Sequence, residues 1–217
     1  MKVIISVLLL VMAATTQATV RSKAVTYSHD DTTLTGYLYW DDAIEGDRPG
    51  VLVVHEWWGL NDYAKARAAM LARLGFVAFA ADMYGDNRVT ETPDQAREWM
   101  QEVTADVEGW RERAGLGLEQ LKASGMVDGD QLAAIGYCFG GDTVLHMSYA
   151  NLPVKGVVSF HGSLPAAPEE SKGMIAPEIL VLHGDADAWV GPDIVANFRT
   201  KLNAAGANWE MVSYGGA

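Results

Sequence analysis

The segment Gly136-Tyr137-Cys138-Phe139-Gly140-Gly141 is the feature of this 217-residue chain that most constrains its fold. An apolar run at 132–135 precedes it, and a helical pattern follows at 144–149. Glycines two residues before and two residues after the cysteine permit a sharp turn in which strand and helix approach too closely for a Cβ atom. Such a turn strains the backbone of its central residue. The pattern therefore predicts that Cys138, the only cysteine in the sequence, projects as a nucleophile between a strand and a helix.

The order of the other elements predicts the fold class. Apolar runs typical of strands alternate with helical patterns, as in a mostly parallel sheet covered by helices on both faces. The predicted strands cover residues 25–28, 33–40, 51–54, 76–81, 132–136, 154–160, 179–183 and 209–214. Together with the turn at Cys138, this order predicts a single α/β-hydrolase domain over residues 19–217. A complete fold of this type carries one more helix after strand 209–214, so we expect the domain to be incomplete at its C-terminus.

The N-terminal segment is predicted to be a signal peptide. Lys2 precedes an apolar stretch from Val3 to Ala14, and small polar residues follow up to Ala18. The stretch is too short to span a bilayer comfortably, and the whole arrangement is typical of a secretory signal. We expect cleavage after Ala18 and an exported, periplasmic or secreted, protein without stable membrane association. An uncleaved membrane anchor is the alternative.

Charge and composition narrow the range of partners. A net charge of −12 argues against binding to nucleic acid or to anionic membrane surfaces. The histidines do not pair at helical ligand spacing with a carboxylate, so neither a metal nor a cofactor is expected. The oligomeric state is not predicted.

The surroundings of Cys138 can be predicted in part from the residues alone. Its sulfur should lie above the carboxyl ends of the strands, where ligands bind in such sheets. The helix that begins after it favours the thiolate, and the backbone N–H of Phe139 is expected to be one oxyanion donor. A second donor is expected from the loop after strand 51–54, which reads His55-Glu56-Trp57-Trp58-Gly59.

Three segments, in this order and at this spacing, resemble the dienelactone hydrolase family. They are Glu56 after its strand, the turn at Cys138, and Gly184-Asp185-Ala186-Asp187-Ala188-Trp189-Val190. The resemblance covers about Val25 to Ala217. It implies Cys138 as the nucleophile, Asp187 as the triad acid and the N–H of Trp57 as the second oxyanion donor. It also implies that Glu56 contacts the resting thiol and takes its proton when substrate arrives.

The triad base is expected to lie outside the sequence. The family places its histidine after the strand that corresponds to 209–214, and no histidine follows Asp187. A histidine one or two residues past Ala217 would fit, and without it we expect residues 1–217 to turn over esters poorly. His161 is expected to line the pocket rather than to act as base, because Asp187 would be poorly placed to orient it.

The expected pocket is rich in aromatic side chains, which suit an apolar acyl or lactone substrate. The residues expected to contact substrate are Tyr84, His161, Trp58 and Trp189. Several site residues also have a simpler interpretation: Cys138 as a small buried hydrophobe at a strand end, Glu56 as a solvated loop carboxylate, Asp185 in place of Asp187 as the acid, and the tryptophans as core or rim packing.

The predicted substrate is a small ester or lactone, hydrolysed through an acyl-enzyme on Cys138. Dienelactone-cleaving members of the family carry an arginine two residues after the tyrosine that corresponds to Tyr84, and this chain has Asp86 there. The expectation is therefore a broader ester or lactone hydrolase of the carboxymethylenebutenolidase type. The alternatives are a thioesterase or peptidase-like hydrolase, and a non-catalytic binding or thiol-redox protein on the same fold.

Overall fold

The computed structural model describes residues 19–217 as one eight-stranded sheet flanked by helices. The segment predicted to be a signal peptide, residues 1–18, lies outside the described residues. The strands are β1 (Val20–His29), β2 (Thr32–Asp41), β3 (Arg48–Val54), β4 (Val77–Ala81), β5 (Val127–Tyr137), β6 (Gly156–Phe160), β7 (Glu178–Gly184) and β8 (Trp209–Tyr214). The helices are α1 (Asp62–Arg73), α2 (Pro93–Thr104), α3 (Val107–Ala123), α4 (Phe139–Tyr149) and α5 (Pro192–Ala205), with a short 3-10 helix at Glu169–Ser171.

The strand order is β1-β2-β4-β3-β5-β6-β7-β8. β1 and β2 form an antiparallel pair at one edge, β2 runs antiparallel to β4, and every pairing from β4 to β8 is parallel. This topology confirms the predicted α/β-hydrolase fold. Because β3 to β8 are parallel, their carboxyl ends lie at the same edge of the sheet, where loops can bring distant residues together.

The two faces of the sheet are covered unequally. α1 lies on one face, where Ala64 and Ala68 pack with Val51, Val53 and neighbouring side chains of β4 in a small core. α3, α4 and α5 contribute to the larger core on the opposite face. On the α1 face, the side chains of Ile135, Val158 and Leu180 stand side by side in register and are only half-buried. Among the helices of residues 19–217, none combines the length and the apolar character needed to cross a bilayer.

Candidate active site

Cys138 occupies the turn between β5 and α4 in a left-handed backbone conformation, with φ 53° and ψ −114°. Side chains other than glycine rarely adopt a positive φ, so the backbone here is strained. Two main-chain hydrogen bonds hold it. The Cys138 N–H donates to the Phe160 carbonyl at 2.8 Å, and the Cys138 carbonyl accepts from the Asp142 N–H at 3.2 Å. Hydrogen bonds to β6 on one side and to the first turn of α4 on the other thus stabilise the strained conformation of Cys138.

The glycines of the turn are required by close backbone contacts. A Cβ at Gly136 would lie 1.9 Å from the Gly140 carbonyl oxygen, and a Cβ at Gly140 would lie 2.4 Å from the Val54 carbonyl oxygen. Neither contact can be relieved by turning a side chain, since both partners are main chain. The N-terminus of α4 is thereby brought directly onto the ends of β3 and β5.

The pKa of the Cys138 thiol depends on its burial, on nearby carboxylates and on two backbone N–H groups. Burial raises the pKa of this thiol above its ordinary value, and the carboxylates of Asp142 and Glu56 raise it further. Hydrogen bonds from the backbone N–H groups of Phe139 and Trp57 lower the pKa, but burial is the largest effect. The resting cysteine is therefore favoured as a neutral thiol. This differs from the expectation that the helix N-terminus alone would favour the thiolate, because that expectation left out desolvation.

Tyr84 does not line an open pocket. Its side chain is fully buried, and its hydroxyl donates to the Trp57 carbonyl at 3.0 Å. Burial raises the pKa of this phenol, so it remains a neutral donor. The expected substrate contact is corrected accordingly: in this structure Tyr84 lies beneath the loop at residues 55–59 and supports it. Trp58 lies in the same loop, half-buried, with its ring 4.9 Å from that of Trp57.

Asp187 lies at the carboxyl end of β7, with only 5% of its side chain exposed. Its Oδ1 accepts a hydrogen bond from the Trp189 N–H at 2.8 Å. Asp185, the alternative acid, is exposed, and Trp189 itself is 87% exposed. Of the two aspartates, Asp187 is therefore the one held in a defined, buried position.

The second oxygen of Asp187 faces His161. The Nε2 atom of His161 lies 3.0 Å from Asp187 Oδ2, although the ring N–H does not point at the oxygen, so Oδ2 has no hydrogen-bond donor among residues 19–217. The two groups are thus close but not hydrogen-bonded, and the expectation that Asp187 is poorly placed to orient His161 stays a prediction. His161 has a positive φ of 57° and a side chain that is 60% exposed.

Asp142 holds the loop that carries His161, a role that the sequence analysis missed. Its Oδ1 accepts from the Ser163 N–H at 2.6 Å, and its Oδ2 accepts from the Ser163 hydroxyl at 2.7 Å. Burial raises the pKa of this carboxyl to about 6. Its position four residues after Cys138, in the first turn of the predicted helix, was the available signal. The loop after β6 is consequently tied to the helix that begins at the nucleophile.

The described residues contain no group of side chains that could bind a metal ion. Across residues 19–217, no three side chains of histidine, cysteine, aspartate or glutamate converge to hold an ion. The arrangement instead combines a nucleophile, two backbone donors and carboxylates. Such a set can stabilise negative charge that develops on a substrate oxygen.

A model of the dienelactone hydrolase family matches residues 34–217. A Bradyrhizobium relative, named as a "probable 2-oxo-3-(5-oxofuran-2-ylidene)propanoate lactonase", is 25% identical over 183 residues. That alignment covers 80% of this chain and 73% of the relative.

Two solved structures are more similar in sequence. The dienelactone hydrolase-like promiscuous phosphotriesterase from metagenomic libraries is 37% identical, with a TM-score of 0.88, over 93% of this chain and 83% of that protein. The protein called m3DLH is 35% identical, with a TM-score of 0.86, over 91% of this chain and 82% of its own length.

Proposed function

Because the chain belongs to the dienelactone hydrolase family, we propose that it hydrolyses small esters or lactones by acyl transfer to Cys138. The observation that carries this proposal is the strained turn that holds Cys138 at the N-terminus of α4, packed against the ends of β3 and β5. The backbone N–H groups of Phe139 and Trp57, from two different loops, lower the pKa of its thiol. Two main-chain donors that converge on a nucleophile are the arrangement that stabilises a tetrahedral oxyanion.

The proposed first step begins from a neutral thiol. When substrate enters, Glu56 takes the proton of Cys138, and the sulfur attacks the carbonyl carbon of the ester. The C=O double bond opens, and its oxygen takes the negative charge, stabilised by the N–H groups of Phe139 and Trp57. The intermediate then collapses to a thioester: the C–O bond breaks, and the leaving alkoxide takes the proton from Glu56. In a lactone the leaving group stays attached through the acyl chain.

The second step returns the free enzyme. Water attacks the thioester carbonyl, the same donors stabilise the oxyanion, and the C–S bond breaks to give the acid and the thiol. A general base must take the proton of this water, and Asp187 is proposed to orient that base.

Two histidines are candidates for the base. His161 contacts Asp187 at 3.0 Å, so it is the candidate within the described residues. A histidine encoded after Ala217 is the candidate that the family resemblance implies. The Ala217 carbonyl accepts a hydrogen bond from the Ala186 N–H at 2.8 Å, which places this residue beside the Asp187 loop. Among residues 19–217 no group donates a hydrogen bond to Asp187 Oδ2, which supports the proposal that this oxygen orients a ring N–H, whichever histidine supplies it.

A direct test uses p-nitrophenyl acetate and intact-mass measurement. Because Cys138 is the only cysteine, a single acetyl adduct on the wild-type chain identifies the thioester. We expect the adduct in the wild type, none in Cys138→Ala, and wild-type behaviour in Ser148→Ala, a buried position further along α4. If the wild type forms no adduct and hydrolyses the ester no faster than Cys138→Ala, the hydrolase proposal is wrong and the non-catalytic alternative gains support.

A second activity, hydrolysis of phosphotriesters, is favoured by one specific observation. The 37% identical solved structure is that of a promiscuous phosphotriesterase. In this second activity the same sulfur attacks phosphorus and the P–O bond to the aryloxide breaks, while the two N–H donors stabilise the phosphoryl oxygen. Water then cleaves the P–S bond and returns the thiol. Diethyl p-nitrophenyl phosphate has the same leaving group as the test ester, so parallel assays give the ratio of the two activities. Release of p-nitrophenol at the rate of Cys138→Ala would exclude this second activity.

Export is proposed from the N-terminal sequence, which no described residue represents. The mature protein is proposed to begin after Ala18 and to act in the periplasm or outside the cell. Intact-mass measurement of protein from a periplasmic or culture fraction should give a chain that starts near Thr19. A full-length product in the cytosol would contradict export.

A further inference from the structure

We propose that His55 is a positioning residue of the oxyanion hole, whose ring fixes the peptide group that presents the Trp57 N–H to Cys138. This inference rests on the proposed function, because an oxyanion hole matters only if Cys138 attacks a substrate. His55 is the first residue of the loop 55–59 and is completely buried. The hydrolysis scheme above gives it no role.

The two ring nitrogens of His55 have opposite roles. Its Nε2 lies 3.2 Å from the backbone nitrogen of Met83, and its Nδ1 lies 2.5 Å from the Glu56 carbonyl oxygen. The Met83 N–H can only donate, so Nε2 must accept and carry no proton. The proton therefore resides on Nδ1, which donates to the Glu56 carbonyl. Burial lowers the pKa of His55, so the ring remains in this neutral tautomer.

The carbonyl that His55 holds belongs to the peptide group that serves Cys138. A peptide is planar, and this one is trans, so the Glu56 C=O and the Trp57 N–H point in opposite directions from one rigid unit. With the carbonyl held by His55, the N–H is directed at Cys138, where it lowers the pKa of the thiol. A hydrogen bond to the carbonyl also polarises the N–H and strengthens it as a donor. The Gly59 N–H shares this carbonyl at a longer distance, 3.3 Å.

The packing of the ring allows it little freedom. His55 is 0% exposed, and its ring centroid lies 4.9 Å from that of Tyr84 and 5.8 Å from that of Phe139. Tyr84 in turn holds the next carbonyl of the loop, that of Trp57. His55 thus connects three parts of the site: the loop with the Trp57 donor, the Phe139 donor on α4, and Met83 after β4.

The test uses three substitutions at His55 that separate the two hydrogen bonds. His55→Phe keeps the ring volume and removes both bonds. His55→Asn keeps a donor near the Nδ1 position, and His55→Gln keeps only an acceptor near the Nε2 position. His146→Phe is the matched control, because His146 is also a histidine within aromatic packing, with its ring 4.5 Å from that of Trp110, away from the loop 55–59. Thermal melting identifies a temperature at which all the variants are folded.

The first readout is independent of turnover: the pH profile of Cys138 alkylation by iodoacetamide. Loss of an oriented Trp57 N–H should raise the pKa of the thiol, so His55→Phe should be alkylated several-fold more slowly below the wild-type midpoint. Glu56, Asp142 and Asp82 are the charged groups near these residues, and all three are unchanged in every variant. The second readout is the rate of acetylation by p-nitrophenyl acetate. It should fall about tenfold to a hundredfold in His55→Phe with little change in KM, less than the loss of a whole oxyanion donor.

The ranking of the variants by acetylation rate and alkylation profile tests whether His55 positions the peptide group. We expect wild type and His146→Phe to be equal, His55→Asn to recover part of the rate, and His55→Gln to resemble His55→Phe. If folded His55→Phe has the wild-type alkylation profile, the positioning role is wrong. If it does not fold, the same comparison is made between His55→Asn and His55→Gln, and equal profiles would overturn the proposal. A shifted profile in a chain that never acetylates would show that the hydrolase proposal fails while the positioning of the peptide stands.

Discussion

Cys138 and Asp187 belong to two halves of the candidate site that differ in how completely residues 19–217 hold them. The nucleophile half consists of residues 54–59 and 136–141, and its main chain is packed so closely that a Cβ at Gly136 would lie 1.9 Å from a carbonyl oxygen. The acid half consists of residues 184–191 and His161. There, Trp189 is 87% exposed, His161 is 60% exposed, and Asp187 Oδ2 has no hydrogen-bond donor in the described chain.

This difference separates two ways of building a catalytic geometry. In the nucleophile half, steric contacts and buried hydrogen bonds leave one arrangement of the backbone, and the positions of the donors follow from it. In the acid half, a buried carboxylate oxygen remains available, at a cost in stability, for a partner that orients with it. The following predictions test whether the two halves respond as differently as their contacts indicate.

The largest expected effect is on the free energy of unfolding, when one glycine in each half is replaced by alanine. Gly136→Ala should lower the free energy of unfolding by about 3–5 kcal/mol or prevent folding, because its Cβ meets main chain that cannot move aside. Gly191→Ala in the acid half meets no atom within 4 Å and should cost about 1 kcal/mol or less, as a change at a helix N-cap. Urea denaturation of both variants measures this. Equal destabilisation would remove the distinction between the halves.

Asp142, which ties the two halves together, should make stability depend on pH. Its pKa is raised from 3.8 to about 6, so folding favours the protonated form. Its contribution is fully present below about pH 4 and is lost as the pH rises through 6, a change of about 2–3 kcal/mol. Asp142→Asn lacks this titration, so its stability relative to wild type should increase by that amount between pH 4 and pH 7.

Urea midpoints of the two proteins at four or five pH values measure the Asp142 effect. Any constant loss from an amide that faces the Ser163 donors cancels in the pH-dependent difference. The same substitution should lower the pKa of the Cys138 thiol, since Asp142 raises it. Parallel stability curves for the two proteins would show that Asp142 does not titrate in this range.

Asp187→Asn should stabilise the chain by about 1 kcal/mol, because a buried carboxylate oxygen without a hydrogen-bond donor is replaced by a neutral amide that can donate to His161. Hydrolysis of p-nitrophenyl acetate should fall at the same time if Asp187 orients the base. Asp185→Asn, two residues away and exposed, is the matched control and should change stability by less than about 0.5 kcal/mol. A destabilised Asp187→Asn would show that the oxygen is satisfied in solution.

The smallest expected change in stability is at His161. Its exposed side chain should allow His161→Gln to stay within about 0.5 kcal/mol of the wild type. Its effect on deacetylation of Cys138 separates the two candidate bases. Deacetylation slowed by orders of magnitude would identify His161 as the base, whereas a change of a few-fold would favour a histidine encoded after Ala217.

Strand and helix boundaries were predictable where local patterns are strong. The predicted apolar runs correspond to β3 through β7. β3 and β5 begin several residues earlier than predicted, at Arg48 and Val127, since these two residues pair with each other across the sheet. Such pairing depends on partners far away in sequence and leaves no local pattern.

The fold class, the turn at Cys138 and the need for glycine around it could be predicted from the amino-acid sequence. These depend on steric rules that act between near neighbours and on the alternation of apolar runs. It also indicated that Glu56, Trp57 and Phe139 lie near the nucleophile, because parallel strands end at one edge.

The role of each side chain at that edge depends on contacts that exist only in the folded protein. Burial of Tyr84 turned an expected substrate contact into a support, and desolvation made Cys138 a neutral thiol at rest. The tautomer of His55 and the approach of His161 to Asp187 were decided by loops from separate strands that meet in space. Hydrogen bonds and the local dielectric constant depend on which loops lie next to each other in the folded protein. No local pattern in the sequence could therefore reveal them.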